Sequence, residues 1–176
     1  VTVTNNKLTD TNSPYSNGGG IYTKGGTLNM TGCTVTGNNA VLGGGGIYVV
    51  KNGSTPAAVK IKGGTIEENT VSGNASKGHG GGIHISENCT LTMKDNVKIN
   101  GNTARYDGGG IYAYGSTVVM ENCTVTGNTA SSGGGIYTKG GGTVNMTGFT
   151  IGGSGMEEGN TAGESGGGVY SGQSTT

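Results

Sequence analysis

The sequence predicts an all-β protein, a parallel β-helix of about five coils with three short strands each. Three observations carry that expectation. The phrase GGG followed by Ile or Val recurs six times, placing Ile21, Ile47, Ile83, Ile111, Ile136 and Val169 at intervals of 26, 36, 28, 25 and 33 residues. A period of roughly 20–50 residues marks a solenoid or a propeller array. Within each unit, short pieces alternate apolar and polar residues, and none has helical spacing. Glycine supplies 41 of the 176 residues and proline only 2. Such a composition signals low complexity unless a period organises it, and here one does.

The shortest unit, residues 108–132, reads GGGIYAYGSTVVMENCTVTGNTASS. It holds three strand-like pieces, IYAY, TVVM and CTVTGN. Three strands in about 25 residues are too few for a propeller blade of ~40–45. They suit one coil of a solenoid in which each strand pairs with its copy about 4.8 Å away. Stacking the copies tests this. The second strand aligns Met30, Ile61, Met93, Met120 and Met146, and the third aligns Val35, Ile66, Ile99, Val125 and Ile151. The turn that follows aligns Asn38, Asn69, Asn102, Asn128 and Asn160. Apolar columns stay apolar, so a thin core of small side chains fits a chain with 30% apolar residues, no Trp and a single Phe149. An unbroken asparagine column suits a ladder that pairs corner backbone groups coil upon coil. The glycine triplet is expected at a corner where positive φ or close backbone approach forbids a Cβ. Longer units carry insertions, at 51–58, 70–79 and 152–158. Specific contacts are expected there, because loops vary while the coil is constrained.

The unit GGGIY…TLNM…CTVTGNNA resembles the glycine-rich repeats of large bacterial surface proteins, among them the polymorphic outer-membrane, autotransporter-like adhesins with GGA[IV] and FxxN signatures. Here the phenylalanine position of FxxN is mostly Val or Ile. The unit's length and its tolerance of insertions resemble the right-handed kind of β-helix. The resemblance implies an extracellular, cell-surface location and specifies no ligand. The chain opens on strand-like VTVTNNKLTD and ends after half a repeat. Residues 1–176 therefore read as a single β-helix segment of a longer repeat protein.

Parity places the Ile after each triplet inside and the next residue outside, which makes an outward column of Tyr22, Tyr48, His84, Tyr112, Tyr137 and Tyr170. It offers an aromatic platform for a glycan or a partner protein. Rings stacked on a sheet also stabilise one another with no ligand at all.

Other chemistry is sparse. Ten basic and ten acidic residues cancel, and no basic stripe suggests nucleic acid. No apolar run approaches the ~18 residues of a membrane span. Cys33 and Cys123 share an inward column three coils apart, about 14 Å by strand spacing, whereas a disulfide needs ~7 Å. With Cys89 they read as buried free thiols. No metal or cofactor is expected: the cysteines are unclustered, and no GGG turn carries the Asp of calcium-binding rolls. The acidic residues Glu67, Glu68, Glu157 and Glu158 fall in two pairs at least two coils apart, a poor match to a glycosidase dyad. Arg105 lies in the ARYD loop beside Asp107, and His79 and His84 flank one triplet without a Ser or Cys partner.

The expectation is a non-catalytic structural or adhesive segment of an extracellular bacterial surface protein. Its partners would be glycans or proteins of a host or neighbouring cell, and strand edges at its ends would favour end-to-end self-association. Two alternatives stand beside it, a polysaccharide-binding or -cleaving β-helix enzyme and an ice-binding protein.

Overall fold

The computed structural model describes residues 1–10, 13, 15–73, 77–155 and 158–172. Every strand-to-strand ladder among them is parallel, each strand bonding to its copy in the neighbouring coil. The chain is a right-handed parallel β-helix, the hand that parallel crossovers take. Three sheets wrap a single file of stacked side chains.

The strands that follow the glycine triplets form a six-stranded sheet, from Ile21–Lys24 to Val169–Ser171. The second and third pieces of each unit share one nine-stranded sheet. In the first two full coils they are continuous, as Gly26–Thr36 and Ala57–Glu67. Gly32 (φ 56°) and Gly63 (φ 61°) bend these strands without ending them, since a left-handed residue redirects the chain within a ladder. The third sheet has five short strands, beginning Asn39–Ala40 and ending Thr161–Ser165, built from residues just past each asparagine.

The register reproduces the aligned columns. Met30 pairs with Ile61, Ile61 with Met93, Met93 with Met120, and Met120 with Met146. Val35, Ile66, Ile99, Val125 and Ile151 pair in the same manner, and Val3 adds one more rung beneath Val35. Like thus stacks on like, and a column needs only one residue per coil to bury its neighbour.

The asparagine column is the most fully bonded feature of the coil. The Oδ1 of Asn102 accepts from the backbone N–H and the Nδ2 of Asn69, both at 3.0 Å. Its own Nδ2 donates to the Ile66 carbonyl and to Asn128 Oδ1, both at 2.9 Å. The same pattern links Asn38, Asn69, Asn128 and Asn160, and Asn6 joins beneath Asn38 at 2.8 Å. Every asparagine-to-asparagine bond donates toward the C-terminus.

The residue before Asn38, Asn69, Asn102 and Asn128 is left-handed: Gly37, Gly101 and Gly127 share this place with Glu68 (φ 54°). A side chain there costs about 1 kcal/mol. Glu68→Gly is expected to raise stability by about that amount, read as a higher midpoint in chemical unfolding; an unchanged or lower midpoint would contradict the strain.

The triplet closes the coil. Gly108 has a φ of 67°. Gly109 and Gly110 need no such freedom but lie against backbone. A Cβ on Gly109 would stand 2.6 Å from the Thr129 carbonyl oxygen, and one on Gly110 2.6 Å from that of Gly135. Both causes expected of the corner operate, at different glycines.

Cys89 and Cys123 are buried, Cys33 is half-buried, and all three are free thiols. Burial pushes the Cys89 and Cys123 thiols up from their ordinary range, which keeps them protonated and unreactive. The insertions are narrower than the sequence spacing indicates, because Ala57 and Ala58 already pair in a strand, as do Thr70 and Val71. Part of each of the other two, residues 74–76 and 156–157, lies outside the described residues.

Candidate binding surface

The column after the triplets is a ladder in register. Tyr22 pairs with Tyr48, Tyr48 with His84, His84 with Tyr112, Tyr112 with Tyr137, and Tyr137 with Tyr170. Consecutive ring centroids lie 4.6–5.5 Å apart, and the tyrosine–tyrosine contacts are stacked within 10–19°. Each such contact adds about 0.5–1.5 kcal/mol beyond burial.

Stacking has a geometric consequence. Inner rings spend both faces on their neighbours, so they present edges and hydroxyls to solvent. Tyr22 at the ladder's end is 47% exposed, whereas Tyr112 and Tyr137 are only 8% and 7% exposed. Burial, the first cause in each case, pushes the phenols of Tyr48, Tyr112 and Tyr137 up, so they remain neutral donors.

His84 interrupts the tyrosines. Its imidazole sits between Tyr48 and Tyr112, at 4.6 and 4.8 Å. Burial, followed by the neighbouring His79, holds its pKa down to about 3. The unfolded value is near 6.5. The native state therefore resists a proton that the unfolded chain accepts. The stability this confers is present above about pH 6.5 and is lost as pH falls toward 3. We expect the parent to lose about 2 kcal/mol more than His84→Tyr between about pH 7 and about pH 4.5 in paired melts. Parallel pH profiles would refute the assignment.

A second tier of groups flanks the ladder at this coil. His79 Nδ1 lies 3.2 Å from Asp107 Oδ2, and the His79 ring stacks on Tyr112 at 4.6 Å. Sequence proximity puts Arg105 beside Asp107; the guanidinium instead sits 5.8 Å from the Tyr106 ring centroid. The backbone of Tyr106 is pinned on both sides: its N–H donates to Gly78 at 3.0 Å, and its carbonyl accepts from Ser131 and Ser132 at 2.7 and 3.0 Å. His79, Tyr106, Asp107, Tyr112 and Lys139 line an open surface cavity of about 300 Å³. Only Tyr112 of these belongs to the predicted column. Of the other four, His79 and Asp107 hold the same place before successive triplets, and Tyr106 and Lys139 join them only across coils.

A larger open groove of about 610 Å³ runs over the outward residues of the third strands, with Glu67 and Glu158 on its lining. Glu67 pairs with Asn100, Asn100 with Thr126, and the next N–H, that of Gly127, bonds to the Glu158 carbonyl. The backbones that carry the two carboxylates are thus three rungs, about 14 Å, apart. An inverting glycosidase places its pair at about 6.5–9.5 Å. Glu157 lies outside the described residues. Lys98 also breaks the threonine rank of this face, lying between Thr65 and Thr124. Among the described residues no group of three or more His, Cys, Asp or Glu could hold a metal ion, and no helix is long and apolar enough to cross a membrane.

The segments that build this side of the coil carry its likeness to a known family. Residues 96–114 and 122–139 match the Chlamydia polymorphic membrane protein repeat. Each match runs from a third strand through its asparagine and glycine triplet to the ladder strand, so it includes Asn102 and Tyr112, then Asn128 and Tyr137. The matched repeat is, in this chain, the bonded corner together with one rung of the aromatic ladder. The two stretches cover about a fifth of the chain, and they support surface-protein character for it. Neither a curated protein nor a solved structure matches the chain.

Proposed function

We propose that the chain is a non-catalytic adhesive segment of an extracellular bacterial surface protein. The observation that carries this reading is the register. The same outward side chains recur at every coil, about 4.8 Å apart, along a rigid axis. A single rung offers a weak contact, and a row of them, or many copies on one surface, adds those contacts through effective concentration. The ladder residues Tyr22, Tyr48, His84, Tyr112, Tyr137 and Tyr170 form the binding face, and glycans or proteins on an opposing cell are its partners. The match to the polymorphic membrane protein repeat supports the location.

The test is to coat beads with the chain and measure adhesion to glycan-coated and cell-coated surfaces, beside binding of the free monomer. Adhesion should appear on the beads and be weak or undetectable for the monomer. Beads that adhere no better than beads carrying a heat-unfolded chain would sink the proposal. Freezing-point depression by the free chain would instead favour the ice-binding alternative, which the broken threonine rank speaks against.

A further inference from the structure

We infer that the cavity formed by His79, Tyr106, Asp107, Tyr112 and Lys139 is a subsite for one neutral hexopyranose ring. The inference rests on the adhesive reading above and assigns it a ligand class and a place.

The ladder cannot supply this site by itself. A sugar docks its C–H face on an open aromatic face, and the inner rings of the ladder have none left. Tyr106 stands outside the ladder, half-buried, with its backbone fixed by three hydrogen bonds; the Arg105 guanidinium lies over its ring at 5.8 Å, and the His79 ring is tilted beside it at 6.1 Å. Beside it lies the half-buried carboxylate of Asp107, which engages His79 through Oδ2. A carboxylate has acceptor capacity on both oxygens, so one such contact does not exhaust it. Lys139 supplies an ammonium on the same lining. The walls therefore combine aromatic surface with one acceptor-only and one donor-only group. A pyranose has the matching character, an apolar C–H face and a rim of hydroxyls. Adjacent hydroxyls would donate to Asp107, and one hydroxyl oxygen would accept from Lys139.

Size and charge narrow the choice. A cavity of about 300 Å³ stands at the lower end of small-molecule sites, so it takes one ring of a glycan. The opposite charges of Asp107 and Lys139 balance, so the lining carries no net positive charge to offset the added carboxylate of an acidic sugar. A neutral hexose is therefore the expected ligand, and a uronic acid the weaker one.

The experiment titrates the ¹⁵N-labelled chain with methyl glycosides of glucose, galactose and mannose, and separately with glucuronate. At least one neutral glycoside should shift the amides of Tyr106, Asp107, Tyr112 and Lys139. Asp107→Asn, which keeps the shape of the carboxylate and removes its charge, and Tyr106→Ala should each weaken binding about tenfold, whereas Tyr106→Phe should retain it. Lys60→Ala, on the far strand, serves as the unaffected control. Glucuronate binding as well as the neutral sugars, or no shift at these amides with any hexoside, overturns the site. The bead assay separates the two levels. Adhesion that persists in Asp107→Asn leaves the adhesive reading standing and removes this site. Hexoside shifts without bead adhesion leave the site and remove the adhesive reading.

Discussion

Asn102→Ala is expected to lower the unfolding free energy by about 3–5 kcal/mol. The substitution removes the acceptor that Asn69 uses twice, leaving its buried backbone N–H unpaired and its amide with only the bond to the Val35 carbonyl. It also removes the donor that satisfies the Ile66 carbonyl. Each stranded group costs about 1–3 kcal/mol, and no side chain in the packed core can replace them. Thr124→Ala, on the outer face one coil away, should cost less than about 0.5 kcal/mol. Chemical unfolding of the two variants with equal midpoints would overturn the ladder's assignment as the principal polar support. Asn102→Asp refines the test: it keeps the acceptors for Asn69 and loses the donors, so it should fall short of the parent as well.

Gly109→Ala is expected to cost about 3 kcal/mol or more, although it adds a single methyl group. The added carbon would meet the Thr129 carbonyl oxygen at 2.6 Å and its N–H nitrogen at 2.7 Å, and would press on the Gly134 carbonyl. All three are backbone atoms of ladders that hold adjacent coils, so none can swing aside. Gly141→Ala is the informative comparison. Its φ is 76°, but a methyl group there would meet nothing within 4 Å, so only the left-handed strain applies. That strain is worth about 1 kcal/mol. Similar losses for the two variants would show that conformational preference, rather than crowding between coils, explains the triplet.

The repeat makes much of this readable from the sequence. Apolar columns and the asparagine column follow from alignment alone, because an error in register would put a polar residue in the file. The strands of the third sheet stay hidden for the opposite reason: two residues such as Thr103–Ala104 carry no alternation to detect. Asn6 escapes notice because NNKL has no glycine triplet to anchor it, although it bonds as the other rungs do. The outward direction of the tyrosines follows from parity. The burial of Tyr112 and Tyr137 does not, since it depends on ring stacking between coils and on His79, which comes from the preceding coil. His79 and Asp107 are 28 residues apart (107 − 79) and meet only because one coil intervenes.

The direction of the asparagine ladder has a consequence for how such a chain can lengthen. Each coil offers an acceptor to the coil before it and donors to the coil after it, with the same geometry at successive junctions. A duplicated segment of one full turn can therefore be spliced between any two neighbours, in phase, with all corner bonds restored and no compensating substitution. Loops outside the corner may differ in length without disturbing that junction. Growth by copying is then close to neutral in cost, and copies diverge afterwards wherever side chains face solvent. The identical GGGIYTKGG at residues 18–26 and 133–141 is what recent copying, or strong restraint on the copied corner, leaves in a sequence.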